Sequence, residues 1–122
     1  MNNIDNIRQA MPGYKCSAML ITNQVNRLFA TGFSSSAGTL LVTETSAWYF
    51  VDSRYTEVAK ASIKDAHVEL IKNEEDTIEK IRKVLEDNEI TSVGFEDSSL
   101  SFAGYKKWSE SLSVEMIPAQ KL

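Results

Sequence analysis

Apolar residues along the chain fall into short continuous runs that alternate with segments of helical spacing. The continuous runs are typical of strands that are buried on both faces. They predict six strands, at 17–22, 39–43, 47–52, 67–71, 92–96 and 114–117. Apolar positions three and four residues apart predict helices over 4–11, 54–63, 73–87 and 102–112, with a short helical turn near 26–30.

Polar residues at the ends of these segments predict where the elements begin and end. Asn3, either Asp52 or Ser53, and Ser101 each stand where a side-chain oxygen could cap the first turn of a helix. Pro118 follows the last apolar run and is expected to stop that strand, because proline cannot donate to a β-ladder.

The two central runs predict which faces of the sheet are covered. In the second run Trp48 and Phe50 point to one face, whereas Tyr49 and Val51 point to the other. Since both faces carry large apolar side chains, helices must cover both. The expected fold class is α/β, with three layers and a mixed, roughly six-stranded sheet that has helices on both faces.

Composition and charge restrict the classes of function that we expect for the chain. The 122 residues suffice for one domain, and the net charge of −4 disfavours binding to nucleic acid, which needs a concentrated positive surface. No apolar run approaches the length of a membrane helix, so we expect no membrane partner. A single cysteine, Cys16, favours a reducing, cytoplasmic location and a role as a small buried hydrophobe.

No catalytic or metal-binding residue can be assigned from residue types alone. His67 is the only histidine and opens a strand, so we interpret it as structural. The carboxylates at strand ends, Asp52, Glu96 and Asp97, admit a two-metal nuclease site as a weak alternative. Helix capping accounts for Asp52 equally well, and the chain lacks the basic surface that a nucleic-acid substrate requires.

Four motifs in order give the chain a family resemblance. Segment 26–43 reads NRLFATGFSSSAGTLLVT, and 52–55 reads DSRY. They are followed by VGFED at 93–97 and SFAGY at 101–105. This series resembles the N-terminal domain of the Xaa-Pro peptidases, the family of aminopeptidase P, prolidase and creatinase. The family pattern reads roughly N-x-R-Y-L-T-G-F-S-G-S-A-G, then T-D-x-R-Y, V-G-F-E and T-Y-x-x-Y. Ser35 departs from it by replacing a glycine.

The resemblance implies a ribonuclease-H-like creatinase N-terminal domain over residues 1–122. Family enzymes cleave the bond before proline with two metal ions, usually manganese or cobalt, whose ligands lie in a C-terminal catalytic domain. The resemblance therefore implies no cofactor in this domain and no activity of the domain alone. It further implies that the domain partners its own catalytic domain, supports a homodimer and limits access to short Pro-containing peptides.

By the same resemblance, several residues are candidates for the rim of a substrate site or for an interface: Phe33, Ser34, Ser35, Ser36, Arg54 and Tyr55. Phe33 could form an apolar wall for a proline ring, and Arg54 could pair with a peptide carboxylate. A purely structural role for these residues stays open. Two alternative functions also stay open: a non-enzymatic peptide- or protein-binding module, and part of a creatinase-type amidinohydrolase.

Overall fold

The computed structural model describes residues 3–96 and 100–119 of the chain. Apart from one 3-10 turn and one pair of consecutive strands, the elements of this part alternate between helices and strands in the predicted order. They are α1 (Asn3–Ala10), a 3-10 helix (Met11–Tyr14), β1 (Ala18–Ile21), α2 (Gln24–Thr31), β2 (Thr39–Thr43), β3 (Ala47–Val51), α3 (Thr56–Ser62), β4 (His67–Leu70), α4 (Glu74–Asp87), β5 (Ser92–Glu96), α5 (Phe102–Leu112) and β6 (Glu115–Ala119).

The strands form one mixed sheet in the order β4-β3-β2-β1-β5-β6. β2 runs antiparallel to both β1 and β3, whereas the pairs β3–β4, β1–β5 and β5–β6 are parallel. The carboxyl ends of all strands except β2 therefore lie along one edge of the sheet, together with the beginning of β2. We call this edge the carboxyl edge.

Helices cover both faces of the sheet, which confirms the predicted three-layer α/β fold. Tyr49 and Val51 pack with α1, α2 and α3 on one face. Phe50 packs on the other face with Ile81 of α4 and Trp108 of α5. The alternation predicted for 48–51 is thus confirmed, and it arises because successive strand residues point to opposite faces.

Three local predictions were wrong. Pro118 does not stop the last strand but lies within β6, which tolerates proline because it is an edge strand. Neither Asp52 nor Ser53 caps α3, since Tyr55 occupies the N-cap position without a side-chain cap bond. The length predicted for the helical turn near 26–30 was too short, because the segment is helical as expected but forms the eight-residue helix α2. By contrast, Ser101 caps α5 as predicted, with its hydroxyl accepting from the Gly104 N–H at 3.0 Å.

Candidate functional site

The two segments that carry the rim candidates meet at the carboxyl edge of the sheet. One is the loop 33–38, which leads from α2 into β2, and the other is the turn 52–55, which follows β3. We call their meeting point the loop–turn corner. Gly32 allows the chain to leave α2, because it adopts a left-handed conformation with φ of 75° and donates its N–H to the Leu28 carbonyl.

Side chains of the loop alternate between the interior and the surface. Phe33 and Ser35 are only 8% and 3% exposed, whereas Ser34 and Ser36 are exposed. The Phe33 ring makes edge contacts with Tyr49 and Tyr55, at centroid distances of 6.2 and 6.5 Å. Such edge-to-face pairs stabilise aromatic packing beyond the area that they bury. Phe33 therefore lies between the core and the corner.

A hydroxyl pair joins the loop to the turn. Ser36 Oγ lies 2.6 Å from the Tyr55 hydroxyl, and either atom could donate. A hydrogen bond from Ser36 favours the phenolate form and so lowers the pKa of Tyr55. The pair places one acidic phenol at the surface of the corner.

An ion pair shapes the turn itself. The Asp52 carboxylate accepts from the Arg54 guanidinium at 2.8 Å and from the Arg54 N–H at 2.9 Å. These bonds lower the pKa of Asp52, and the carboxylate raises the pKa of Arg54. The Arg54 guanidinium lies 5.0 Å from the centroid of the Tyr55 ring, and its side chain is 63% exposed. A pair this exposed contributes little to stability.

The structure thus brings together four of the six rim candidates: Phe33, Ser36, Arg54 and Tyr55. Ser34 is exposed and makes none of these contacts, while Ser35 directs its hydroxyl into the interior. The corner presents a guanidinium, a phenol and a hydroxyl, which can bind a carboxylate or a peptide carbonyl.

Arg27 lies beneath the corner and was not predicted from the sequence to be a site residue. It is 3% exposed, and its guanidinium donates to the Thr22 and Ser35 carbonyls and to two hydroxyls, those of Ser35 and Tyr49. The apolar pattern of α2 gave no signal for this, because Arg27 and Ala30 form its buried face. The only sequence signal was that Arg27 lies in the segment 26–43, which carries the family resemblance.

Glu96 is a second buried charged residue, and its role could not be predicted from residue types. It is 3% exposed, and its carboxylate accepts from the Thr22 and Asn23 N–H groups at 2.6 and 3.1 Å and from Asn26 Nδ2 at 2.5 Å. The carboxylate therefore serves the beginning of α2 rather than a metal ion. The sequence signals were its position at the end of a strand and its place in the VGFED motif at 93–97.

The weak two-metal alternative finds no support at the other strand-end acids. Asp52 is engaged by Arg54, and Asp97 lies outside the described residues. Among the residues that the structure describes, no group of three or more His, Cys, Asp or Glu side chains could hold a metal ion. The described residues therefore offer no site for a two-metal nuclease centre.

The two other potentially reactive side chains, those of His67 and Cys16, have structural roles. The His67 ring lies 4.6 Å from the Trp48 ring at the exposed end of β4. Cys16 is 6% exposed, and its burial raises the pKa of the thiol. Both placements agree with the structural roles predicted for these residues.

Three large apolar side chains of α2 face outward. Val25, Leu28 and Phe29 are 72%, 43% and 63% exposed, and they stand at helical spacing on one side of the helix. We call this group the α2 patch. Within the described ranges, no helix combines the length and the hydropathy needed to cross a membrane.

Comparison with known proteins assigns this arrangement to a family. Residues 3–122 match the family model of the creatinase/prolidase N-terminal domain. The chain is 30% identical over 116 residues to the protein named uncharacterized peptidase YqhT of Bacillus subtilis (strain 168), covering 94% of this chain. The chain spans 32% of that relative's length.

Solved structures share the fold. A Xaa-Pro dipeptidase from Bacillus anthracis superposes with a TM-score of 0.87 at 25% identity, over 96% of this chain and 32% of that chain. An Xaa-Pro aminopeptidase from Streptococcus pyogenes also has a TM-score of 0.87, at 29% identity, over 96% of this chain and 88% of that chain.

Proposed function

The chain belongs to the creatinase/prolidase N-terminal domain family, and from this premise we propose that it is the accessory N-terminal domain of a Xaa-Pro metallopeptidase. The parent enzyme is an aminopeptidase P or a prolidase, and this domain is not catalytic alone. The observation that carries the proposal is the family match over residues 3–122, in a chain that spans only 32% of its relative's length.

Under this proposal the loop–turn corner forms part of the rim of the substrate site. Arg54 supports that role because 63% of its side chain is exposed, so its charge is accessible to a peptide carboxylate. Phe33 supplies apolar surface beside it, through its contact with Tyr55. Rim side chains of this kind restrict access to short Pro-containing peptides without touching the reacting bond.

The partners of the domain are its own C-terminal catalytic domain and, in a homodimer, a second subunit. The three exposed apolar side chains of the α2 patch, which stand together on one side of the helix, support association with another protein surface. In this proposal two manganese or cobalt ions belong to the catalytic domain, because the described residues offer no cluster for them. We place the enzyme in the cytoplasm, consistent with a single buried cysteine.

The proposal is tested by assaying the 122-residue chain with Xaa-Pro peptides, with and without added Mn²⁺ or Co²⁺. We expect no hydrolysis under either condition, while a full-length Xaa-Pro dipeptidase cleaves the same peptides. Metal-dependent turnover by the pure chain, abolished by a chelator, would overturn the accessory role.

The sequence encoded downstream of residue 122 separates the remaining functions. A peptidase requires two Asp, one His and two Glu ligands there, as the family resemblance implies. A downstream segment that has lost these ligands would instead favour a non-enzymatic binding module. A creatinase-type amidinohydrolase would be expected to carry an arginine for its substrate carboxylate within this loop, and positions 34–37 contain none.

A further inference from the structure

Arg27 is a buried cation whose neutral partners converge on the loop of the corner. In the described part of the chain its acceptors are the carbonyls of Thr22 and Ser35 and the hydroxyls of Ser35 and Tyr49, at 2.8 to 3.2 Å. Burying a guanidinium without an adjacent carboxylate is expensive, and an apolar side chain would often stabilise such a site better. Stability alone therefore does not explain why α2 directs an arginine inward.

The loop is built around this guanidinium. Arg27 Nη1, Ser35 Oγ and the Tyr49 hydroxyl form a triangle with sides of 2.8, 2.8 and 3.0 Å. At the end of the loop, a Cβ on Gly38 would lie 2.9 Å from Arg27 Nη1. Both the middle and the end of the loop thus contact a single side chain from α2.

The triangle fixes which loop side chains face outward. Because Ser35 points inward to Arg27, its neighbours Ser34 and Ser36 point outward, and the Ser36 hydroxyl reaches Tyr55 at 2.6 Å. A rotation of the loop that released Ser35 would also withdraw Ser36 from Tyr55. The contact at the surface therefore depends on the contact inside.

We propose that Arg27 is a positioning residue that holds the loop 33–38 in the conformation in which Phe33 and Ser36 meet Tyr55. The inference depends on the proposed function in one respect, that the loop–turn corner is the rim of the substrate site. Arg27 itself touches no substrate. It sets the shape of the rim from beneath, through Ser35 and Tyr49.

The test compares two arginine-to-lysine variants of the 122-residue chain. Arg27→Lys keeps the charge but loses the forked donors that bind four acceptor groups on three residues at once. Arg82→Lys is the matched control, since Arg82 of α4 donates through Nε and Nη2 to the Ser111 carbonyl of α5, away from the loop. Amide hydrogen exchange and the titration of Tyr55 by NMR are measured in both variants.

We expect Arg27→Lys to speed exchange of the loop amides by about tenfold, the factor equivalent to one hydrogen bond to a charged group. The pKa of Tyr55 should also return towards its ordinary value, because Ser36 is withdrawn. Arg82→Lys should change neither quantity. Unchanged loop exchange and an unchanged Tyr55 titration in folded Arg27→Lys would overturn the inference, as would equal effects of Arg82→Lys.

If Arg27→Lys does not fold, Tyr49→Phe decides the question. It removes one hydroxyl from the triangle and keeps the buried ring. A smaller change of the same sign in loop exchange and in the Tyr55 titration supports the inference, and no change in either overturns it. Neither readout involves peptide hydrolysis. A negative result for Arg27 would therefore leave the proposed accessory function intact, and hydrolysis by the pure chain would leave the positioning role of Arg27 intact.

Discussion

Arg27 and Glu96 hold opposite sides of a single residue, Thr22. Arg27 Nε donates to the Thr22 carbonyl at 3.2 Å, and Glu96 accepts from the Thr22 N–H at 2.6 Å. Both side chains are 3% exposed. The two charges join the end of β1 to the end of β5 and to the beginning of α2, which leads into the loop–turn corner. The corner is thus anchored to the sheet by buried polar groups rather than by apolar packing alone.

We expect Glu96→Ala to be strongly destabilising, because it leaves the N–H groups of Thr22 and Asn23 and the side-chain amide of Asn26 without their acceptor. These donors are partly buried, so each one left unsatisfied costs about 1 kcal/mol, the lower end of the range for buried groups, and the free energy of unfolding should fall by roughly 3 kcal/mol. Urea denaturation measures this change. Glu110→Ala, at an exposed position of α5, is the control and should stay within about 0.5 kcal/mol of the wild-type chain. A loss below about 1 kcal/mol for Glu96→Ala would show that the carboxylate does not support this junction.

Gly38 is required by its surroundings as well as by its backbone. Its φ is 152°, and an added Cβ would lie 2.9 Å from Arg27 Nη1 and 3.1 Å from the Tyr49 ring. Gly38→Ala should therefore lower the thermal midpoint, at a cost of about 1–3 kcal/mol. Gly13→Ala is the matched control, because nothing lies within 4 Å of a Cβ there. Equal midpoints for the two variants would contradict this account of the loop.

The Tyr55 phenol should titrate below its ordinary pKa of 10.0 because Ser36 hydrogen-bonds to it. Between the folded and unfolded pKa values the unfolded state binds more protons, so the free energy of unfolding rises with pH across that window. Below the folded pKa this contribution is absent. NMR titration of ¹³C-labelled tyrosine checks the shift, with Tyr55→Phe for assignment.

A matched pair of serine variants tests the cause of that shift. Ser36→Ala should return the pKa of Tyr55 towards its ordinary value and remove the rise in stability with pH. Ser34→Ala, at the neighbouring exposed position, should leave the titration unchanged. A titration of Tyr55 that does not respond to Ser36→Ala would refute the contact between the loop and the turn.

Cys16 should react slowly with thiol reagents in the folded chain. It is 6% exposed, and burial raises the pKa of its thiol, so the nucleophilic thiolate is both scarce and inaccessible. At mildly alkaline pH, a disulfide-exchange reagent should modify it far more slowly in buffer than in concentrated urea. Equal rates in the two conditions would show that the thiol is accessible in the folded state.

The order of the elements could be predicted because the apolar runs are short and continuous and because side chains of 48–51 alternate between two core clusters. The prediction for Pro118 failed because a strand at the edge of a sheet tolerates proline. Which strand lies at the edge depends on the order of the strands, and that order is set by tertiary contacts rather than by the local sequence. The same limit applies to Asp52, whose carboxylate turns to Arg54 instead of capping α3.

The candidate site could be predicted only in part. The family motif selected the segments that carry Phe33, Ser36, Arg54 and Tyr55, and the structure brings these side chains together. Arg27 could not be found from periodicity, because the large apolar side chains of α2 point outward and its charged one points inward. Such an inversion of the usual helix pattern is visible only once the neighbouring loop is in place.

The most direct test of the central claim is the peptide-length selectivity of a chimera. In the chimera, the 122-residue chain replaces the matching third of the Bacillus anthracis Xaa-Pro dipeptidase. The chain superposes on 32% of the length of that enzyme. It is compared with the same chimera carrying Phe33→Ala and Arg54→Ala, and with one carrying Lys60→Ala at an exposed position of α3.

An access-shaping role predicts that the chimera and its Lys60→Ala form cleave short Xaa-Pro peptides in preference to longer ones. The corner variant should lose this preference by raising KM for short peptides, with kcat little changed. Identical length profiles and identical KM values in all three proteins would contradict the claim that this domain shapes access to the substrate site.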